Sequence, residues 1–289
     1  VVETFCPDNL NEALSLLRKT GGTVLAGGTD LMVRYRGPGT PAFERNVLYI
    51  GRLPELRYVR EEGGAAHIGA CTTYAELLAS DIPPVLREAV GLIGSPAIRN
   101  AGTMGGNICN ASPAGDSIPP LIALGATVRI MSLDKSRTLP LSDFITGPGT
   151  TVLRPDELLA GISLERGDFD IVFYKKVGTR AANALSKLSF TGLARTAGGI
   201  LEKVRICFGG VAPVVVRSEE LEKGLCGMDA DTLEEAADEV GRGYEKLIEP
   251  IDDQRSTKLY RREVSLRLLD YFIRNVVVPG LKTKETPGR

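Results

Sequence analysis

Three observations predict a chain of mixed helices and strands folded into two domains. The length, 289 residues, fits roughly two domains of ordinary size. Short β-rich runs bounded by Gly or Pro alternate with capped segments of helical period. The composition shifts near Arg166-Gly167-Asp168, and the domain boundary is placed there.

The first helix starts at Asp8 or Asn9 as cap, carries Leu10, Ala13, Leu14 and Leu17 on one face, and stops at Gly21-Gly22. Thr23 to Ala26 reads as a short buried strand that runs straight into Gly27-Gly28-Thr29-Asp30-Leu31-Met32. Short β-rich runs recur at Val47 to Ile50, Leu56 to Arg60 and Ala66 to Ile68. A helix opens after Thr73 with the Thr73/Glu76 pairing of a capping box. Pro83-Pro84 interrupts it, and Val85 to Ile93 resumes a helix. Gly94 to Asn100 is expected to be a loop that delivers the chain to Thr103–Asp116, a Gly-rich stretch crowded with hydroxyl, amide and carboxylate side chains. A short helix to Leu124 and strands at Ala126 to Met131 and Ala160 to Leu164 complete the first part.

Beyond the boundary, strands are expected at Ile171 to Val177, Leu185 to Leu193 and Lys203 to Phe208. Helices follow at Leu233 to Tyr244 and Thr257 to Val276, the last with an apolar stripe of Leu259, Val264, Leu268, Leu269 and Phe272. A polar tail lies beyond Pro279.

Composition excludes several classes. A hydrophobic content of 43% with 25% charged residues describes a globular protein with a sizeable core. The net charge of −1, with basic residues dispersed, speaks against a nucleic-acid footprint. No apolar run is long enough for a membrane span, and no signal-like segment opens the chain. The five cysteines, Cys6, Cys71, Cys109, Cys207 and Cys226, are scattered without a C-x-x-C pair. That spacing suits neither zinc nor an iron–sulfur cluster, and it predicts free, mostly buried thiols in a cytoplasmic protein. His67 is the single histidine. Its apolar, strand-like context assigns it a structural role, and no metal site is expected.

Two glycine pairs remain to be explained, Gly27-Gly28 and Gly105-Gly106. A glycine pair allows positive φ and lets backbone approach a ligand closely, and successive N–H groups in such a turn form an anion site. Strand, glycine pair, hydroxyl, then a helix start is a phosphate-facing geometry. The Gly27-Gly28 stretch is neither a dinucleotide fingerprint nor a Walker loop, since no G-x-G-x-x-G and no G-K-[ST] follows the strand. Asp30 is expected to turn away from any phosphate, capping the next turn or bonding backbone. Two such loops suggest one extended ligand with a central anionic group.

In this order, Leu25-Ala26-Gly27-Gly28-Thr29-Asp30-Leu31 and Gly94-Ser95-Pro96-Ala97-Ile98-Arg99-Asn100-Ala101-Gly102-Thr103-Met104-Gly105-Gly106-Asn107 resemble the flavin-binding subunit of the molybdenum hydroxylases. Gly209 to Pro213 and Ser256-x-x-x-Tyr260-Arg261 resemble that family's C-terminal domain. The family includes xanthine dehydrogenase, carbon monoxide dehydrogenase, nicotinate dehydrogenase and 4-hydroxybenzoyl-CoA reductase. The resemblance implies an α+β fold: a two-subdomain FAD-binding module of the vanillyl-alcohol oxidase-like (PCMH) type, then a smaller α+β C-terminal domain. On this chain the FAD-binding domain spans 1–167, with subdomains of about 1–55 and 56–167. The C-terminal domain, of the CO-dehydrogenase flavoprotein type, spans 168–280, and 281–289 is the tail.

The same resemblance implies site residues. Leu25, Ala26, Gly27, Gly28, Thr29, Asp30 and Leu31 wrap the FAD diphosphate with backbone amides. Thr103, Gly105, Gly106 and Asn107 close on the diphosphate and adjoining sugar. Asp116 accepts hydrogen bonds from cofactor hydroxyls, as an acceptor-only carboxylate can. Ile93 makes an apolar cofactor contact, Leu158 or Leu159 lies against the isoalloxazine, and Lys176 or the adjacent Lys175 contacts the ring or sits exposed on its strand. No catalytic acid or base is expected. The implied function is electron transfer from 2Fe–2S clusters on a small partner subunit to NAD+ or another acceptor. The molybdenum cofactor would reside on a large partner subunit. Alternatives are a self-contained flavin reductase or oxidase and a non-enzymatic assembly factor. A cysteine-bearing insertion is missing, and Arg36 to Thr40 holds no cluster ligands, which disfavours the hydroxybenzoyl-CoA subtype.

Overall fold

The computed structural model describes residues 1–37 and 42–284. The chain divides into two compact units. One comprises Val1–Pro83, Ile93–Ser112 and Gly125–Arg166; the other comprises Pro84–Leu92, Pro113–Leu124 and the chain from Gly167 onward. Two stretches from the N-terminal part of the sequence, 84–92 and 113–124, thus belong with the C-terminal unit.

In the first unit, the helix Leu10–Thr20 is capped by Asn9, whose side chain accepts from the Glu12 amide at 2.9 Å. Gly21, at φ 61°, ends it and returns its N–H to Leu17. The helix packs Ala13, Leu14 and Leu17 into a core with Leu48, Leu53, Leu56, Cys71 and Leu158. A small parallel sheet has the order Thr4–Phe5, Val47–Tyr49, Thr23–Leu25. Parallel pairing aligns the C-terminal ends of these strands, so Leu25 hands the chain directly to the Gly27-Gly28 turn at one edge.

A second sheet is antiparallel throughout, in the order Val59–Glu62, Ala65–Gly69, Leu158–Glu165, Thr127–Met131, Ser136–Pro140. Its central strand is the last to appear in the sequence. Leu158 through Ile162 are all buried, because a central strand covered on both faces loses the alternation of a half-exposed one. His67 lies in this sheet, with Nδ1 2.8 Å from the Ser163 hydroxyl. The Thr73/Glu76 capping box opens the helix Tyr74–Ala79.

The segment expected as a loop from Gly94 to Asn100 contains the helix Pro96–Ala101, started by Ser95 as cap and Pro96 in the first turn. The Gly-rich stretch after it also begins as a helix, Met104–Asn110, with Thr103 as its cap. Here tertiary contact overrides the low helix propensity of glycine.

The second unit is a three-stranded antiparallel meander, Ile171–Gly178, Ser186–Ala197, Ile200–Gly209, covered by helices. Phe190, Phe208, Tyr244 and Phe272 are fully buried at its centre, with Phe190 and Phe208 rings 5.1 Å apart in an edge-on pair. The helix Ala230–Glu245 contributes Leu233, Ala237, Val240 and Tyr244. The last helix runs Lys258–Tyr271 and continues through a π-helical segment, Phe272–Val277, into Val278–Lys284. Its buried stripe is Arg261, Ser265, Leu269 and Phe272, whereas Leu259, expected inside, is 67% exposed. Leu281 is buried, so the helix extends past the point where the polar tail was expected, and 285–289 lie outside the described residues. Among the described residues no helix is long and apolar enough to cross a membrane.

Candidate functional site

The Gly27-Gly28 turn leaves donors unengaged. Gly28 has φ 71°, a conformation that favours glycine. Among the described residues, the backbone N–H groups of Gly27, Gly28, Thr29 and Asp30 have no acceptor. Four adjacent donors on one turn are the chemistry of an anion cradle. The carbonyls are engaged where the turn needs fixing: Gly28 accepts from Met32 at 2.9 Å, and Leu25 from Ile50 at 2.8 Å. Asp30 precedes the short helix Leu31–Arg34 but makes no side-chain cap. Its carboxylate instead pairs with Arg34 at 2.9 Å, so the negative charge is answered on the turn itself.

The second glycine pair differs. Its amides are committed to protein: Met104 donates to Thr72 at 3.0 Å, Gly105 to Ala70 at 2.9 Å and Asn107 to the Thr103 carbonyl at 3.1 Å. The Gly106 amide donates to the Thr103 hydroxyl at 3.1 Å. Gly105 and Gly106 are helical rather than left-handed, so their role is space. A Cβ on Gly105 would stand 2.6 Å from both Cβ and carbonyl oxygen of Ala70. A Cβ on Gly106 would meet a single neighbour, the Thr103 hydroxyl at 2.8 Å, and Gly106 is exposed. Gly105 therefore seats the helix, and Gly106 keeps its outer face bare.

Two contacts bring these stretches together. A Cβ at Gly27 would lie 1.9 Å from the Ala101 carbonyl oxygen, so the first turn packs backbone to backbone against the entry to the second stretch. Arg34 completes the link, since the Nη2 that pairs with Asp30 also donates to the Asn110 side-chain oxygen at 2.6 Å.

Ile93, half-buried in this unit, has its carbonyl held by Arg99 Nη1 at 3.0 Å. Leu158 and Leu159 are 2% and 4% exposed, with Leu158 in the core beside Leu14 and Leu48. Neither presents a side chain at the surface. The Arg36 to Thr40 loop lies partly outside the described residues.

Asp116 and Lys176 belong to the second unit, where they form a buried pair. Lys176 Nζ lies 2.7 Å from Asp116 Oδ2, with both side chains 9% exposed. The same Nζ donates to the Leu92 carbonyl at 2.9 Å. The Ser186 hydroxyl, 1% exposed, donates to Asp116 Oδ1. Tyr174 Oη donates to the Asp116 carbonyl at 3.4 Å. Lys175, the alternative lysine, is exposed, as strand alternation requires when Lys176 points inward. Burial pushes the Asp116 carboxyl above the usual carboxylate range; Lys176 and the hydrogen bonds pull it back only in part.

Three residues that the sequence did not single out are joined to these candidates in the fold: Arg34, Asn110 and Ser186. The Arg34–Asn110 and Ser186–Asp116 contacts span 76 and 70 residues, and the one local cue is the Asp30/Arg34 spacing of an i,i+4 ion pair. Among the described residues no group of three His, Cys, Asp or Glu side chains could hold a metal ion. Cys6 and Cys226 are exposed, Cys71 and Cys207 buried, and none of the five is in a disulfide.

Comparison with known proteins shows the family. The family model described as "FAD binding domain in molybdopterin dehydrogenase" matches residues 1–164, and "CO dehydrogenase flavoprotein C-terminal domain" matches residues 173–276. The glyceraldehyde dehydrogenase medium chain of Sulfolobus acidocaldarius is 35% identical over 267 residues, covering 89% of this chain and 92% of that one. The xanthine dehydrogenase FAD-binding subunit of Escherichia coli O157:H7 is 29% identical over 278 residues, covering 93% and 92%. A solved structure, reconstituted CO dehydrogenase from Oligotropha carboxidovorans, superposes with a TM-score of 0.87 at 27% identity, covering 98% of each chain. An FAD-binding domain followed by a CO-dehydrogenase flavoprotein C-terminal domain is the architecture of the medium subunits, and this chain belongs to the FAD-binding subunits of the molybdenum hydroxylases.

Proposed function

We propose that this chain is the electron-relay subunit of a multi-subunit molybdenum hydroxylase. Its partners are a large subunit carrying the molybdenum cofactor, where substrate is hydroxylated, and a small subunit carrying 2Fe–2S clusters. The chain receives electrons from those clusters and passes them to NAD+ or another acceptor. FAD, when bound, supplies the ability to take electrons singly and to release them as a pair.

The chain's own residues hold and orient that cofactor. The amides of Gly27 to Asp30 receive the diphosphate, flanked by Leu25, Ala26 and Leu31. Gly106 leaves room for close approach beside Thr103, Gly105 and Asn107. Asp116 accepts from cofactor hydroxyls, and Lys176 compensates its charge. Ile93 supplies an apolar neighbour. No side chain is required as general acid or base.

The observation that best supports the reading is the row of four unengaged amides from Gly27 to Asp30, on a turn seated against Ala101. The test is purification from the native source. The reading expects a flavin spectrum and two co-purifying chains, one with molybdenum and one with 2Fe–2S clusters. Anaerobic addition of NADH then examines the acceptor: bleaching of the flavin identifies NAD+ as its partner, and no bleaching removes NAD+ from the proposal. A chain isolated alone and able to turn over a small substrate would overturn the relay assignment.

A further inference from the structure

The Asp116 carboxylate is fixed at both oxygens. Lys176 Nζ holds Oδ2 at 2.7 Å, and the Ser186 hydroxyl holds Oδ1. Lys176 is itself anchored, since its ammonium also donates to Leu92 at 2.9 Å. Ser186 is the first residue of the strand Ser186–Ala197, and its backbone is paired with Gly178 at the end of Ile171–Gly178, just past a register shift at Val177/Gly178. The hydroxyl is thus delivered from a buried strand end.

A lone contact to Lys176 would let the carboxylate rotate about its terminal bond, a torsion with a broad profile. The second contact removes that freedom. An ionised carboxylate has about four acceptor sites, so two donors leave each oxygen able to accept again. The serine has only one proton to donate, and it is committed to Oδ1.

We infer that Ser186 is a positioning residue, whose hydroxyl holds the Asp116 carboxylate in the orientation that accepts from donor groups of the flavin cofactor. This rests on the reading of Asp116 as a cofactor acceptor. A purely structural serine, needed only to satisfy a buried carboxylate, would affect folding without acting through Asp116 on affinity.

The experiment is a double-mutant cycle read by FAD titration of the full apo chain, with thermal melting of each variant alongside. The variants are Ser186→Ala, Asp116→Asn and the double substitution; Ser186→Cys, a near-isostere with a weak donor, serves if the alanine variant does not fold. Ser186→Ala is expected to weaken FAD binding about tenfold, the scale of one hydrogen bond to a charged group. Ser186→Cys should show part of that loss. The double variant should bind no worse than Asp116→Asn, because a residue acting through Asp116 has nothing left to position. Wild-type affinity in folded Ser186→Ala or Ser186→Cys would overturn the inference. So would losses that multiply in the double variant. If Asp116→Asn binds FAD normally, the assignment of Asp116 fails first; if folded wild-type chain binds none, the cofactor reading itself fails.

Discussion

The Ala101 carbonyl oxygen occupies the place where a side chain on Gly27 would begin, 1.9 Å from an ideal Cβ. The two glycine pairs therefore divide their work in the same way. Gly27 and Gly105 admit a neighbouring backbone, whereas Gly28 supplies a positive φ and Gly106 an uncovered surface.

Substitutions should separate these roles. Gly27→Ala forces backbone apart and is expected to destabilise the first unit by several kcal/mol, on the order of 3 or more, as overpacking against backbone does. Gly106→Ala needs only a shift of the Thr103 hydroxyl and should melt within about 1–2 kcal/mol of wild type. Gly106→Val should nevertheless abolish FAD binding, since a branched side chain would project from the bare face. Melting curves paired with FAD titrations check both; a folded Gly106→Val chain that retains flavin would displace the cofactor from that face.

Arg34 ties the two stretches through Asp30 and Asn110. The pair is more than half exposed, so Arg34→Met should cost less than about 1 kcal/mol of stability. Affinity is the sensitive readout. Without the link, the Gly27–Asp30 turn and Asn110 are no longer held in one geometry, and FAD binding should weaken about three- to tenfold. Equal affinities by titration would show that the clamp is dispensable.

Glu157 gives a pH-dependent prediction. Its carboxylate takes two hydrogen bonds from Arg137, at 3.0 and 2.8 Å, and one from the Arg154 amide at 2.9 Å. The Arg137 hydrogen bonds, against the opposing effect of burial, hold its carboxyl below 4.5. A depressed folded-state value means that the stabilisation is present above the unfolded value and fades as pH falls through the folded one. Glu157→Gln should lower stability near neutral pH by about 1–3 kcal/mol. The gap to wild type should close as pH falls from the ordinary glutamate range through the depressed folded-state value, as measured by urea denaturation at stepped pH. A pH-independent gap would assign the effect to shape rather than charge.

Local signals were legible in the sequence where they were self-contained. Asn9, Gly21 and the Thr73/Glu76 box announce their helix ends because each contact spans four residues or fewer. The helices Pro96–Ala101 and Met104–Asn110 were hidden, since glycine content argues for a loop and the compensating contact of Gly105 with Ala70 comes from the turn after a strand far upstream. The Lys176–Asp116–Ser186 cluster was half visible. Resemblance pointed to Asp116 and Lys176 as separate contacts, whereas only the fold shows that they bind each other. Assignment of 84–92 and 113–124 to the second unit was likewise beyond periodicity, which sees helices but not what they pack against.

The measurement that bears most directly on the central claim is titration of folded apo chain with FAD, followed by flavin fluorescence and absorbance. The account predicts saturation at one FAD per chain, competition by ADP through the diphosphate, and loss of both on Gly28→Val, which removes the positive-φ turn that aligns the free amides. A folded chain that binds no FAD, or a Gly28→Val chain that binds it as wild type does, would contradict the account.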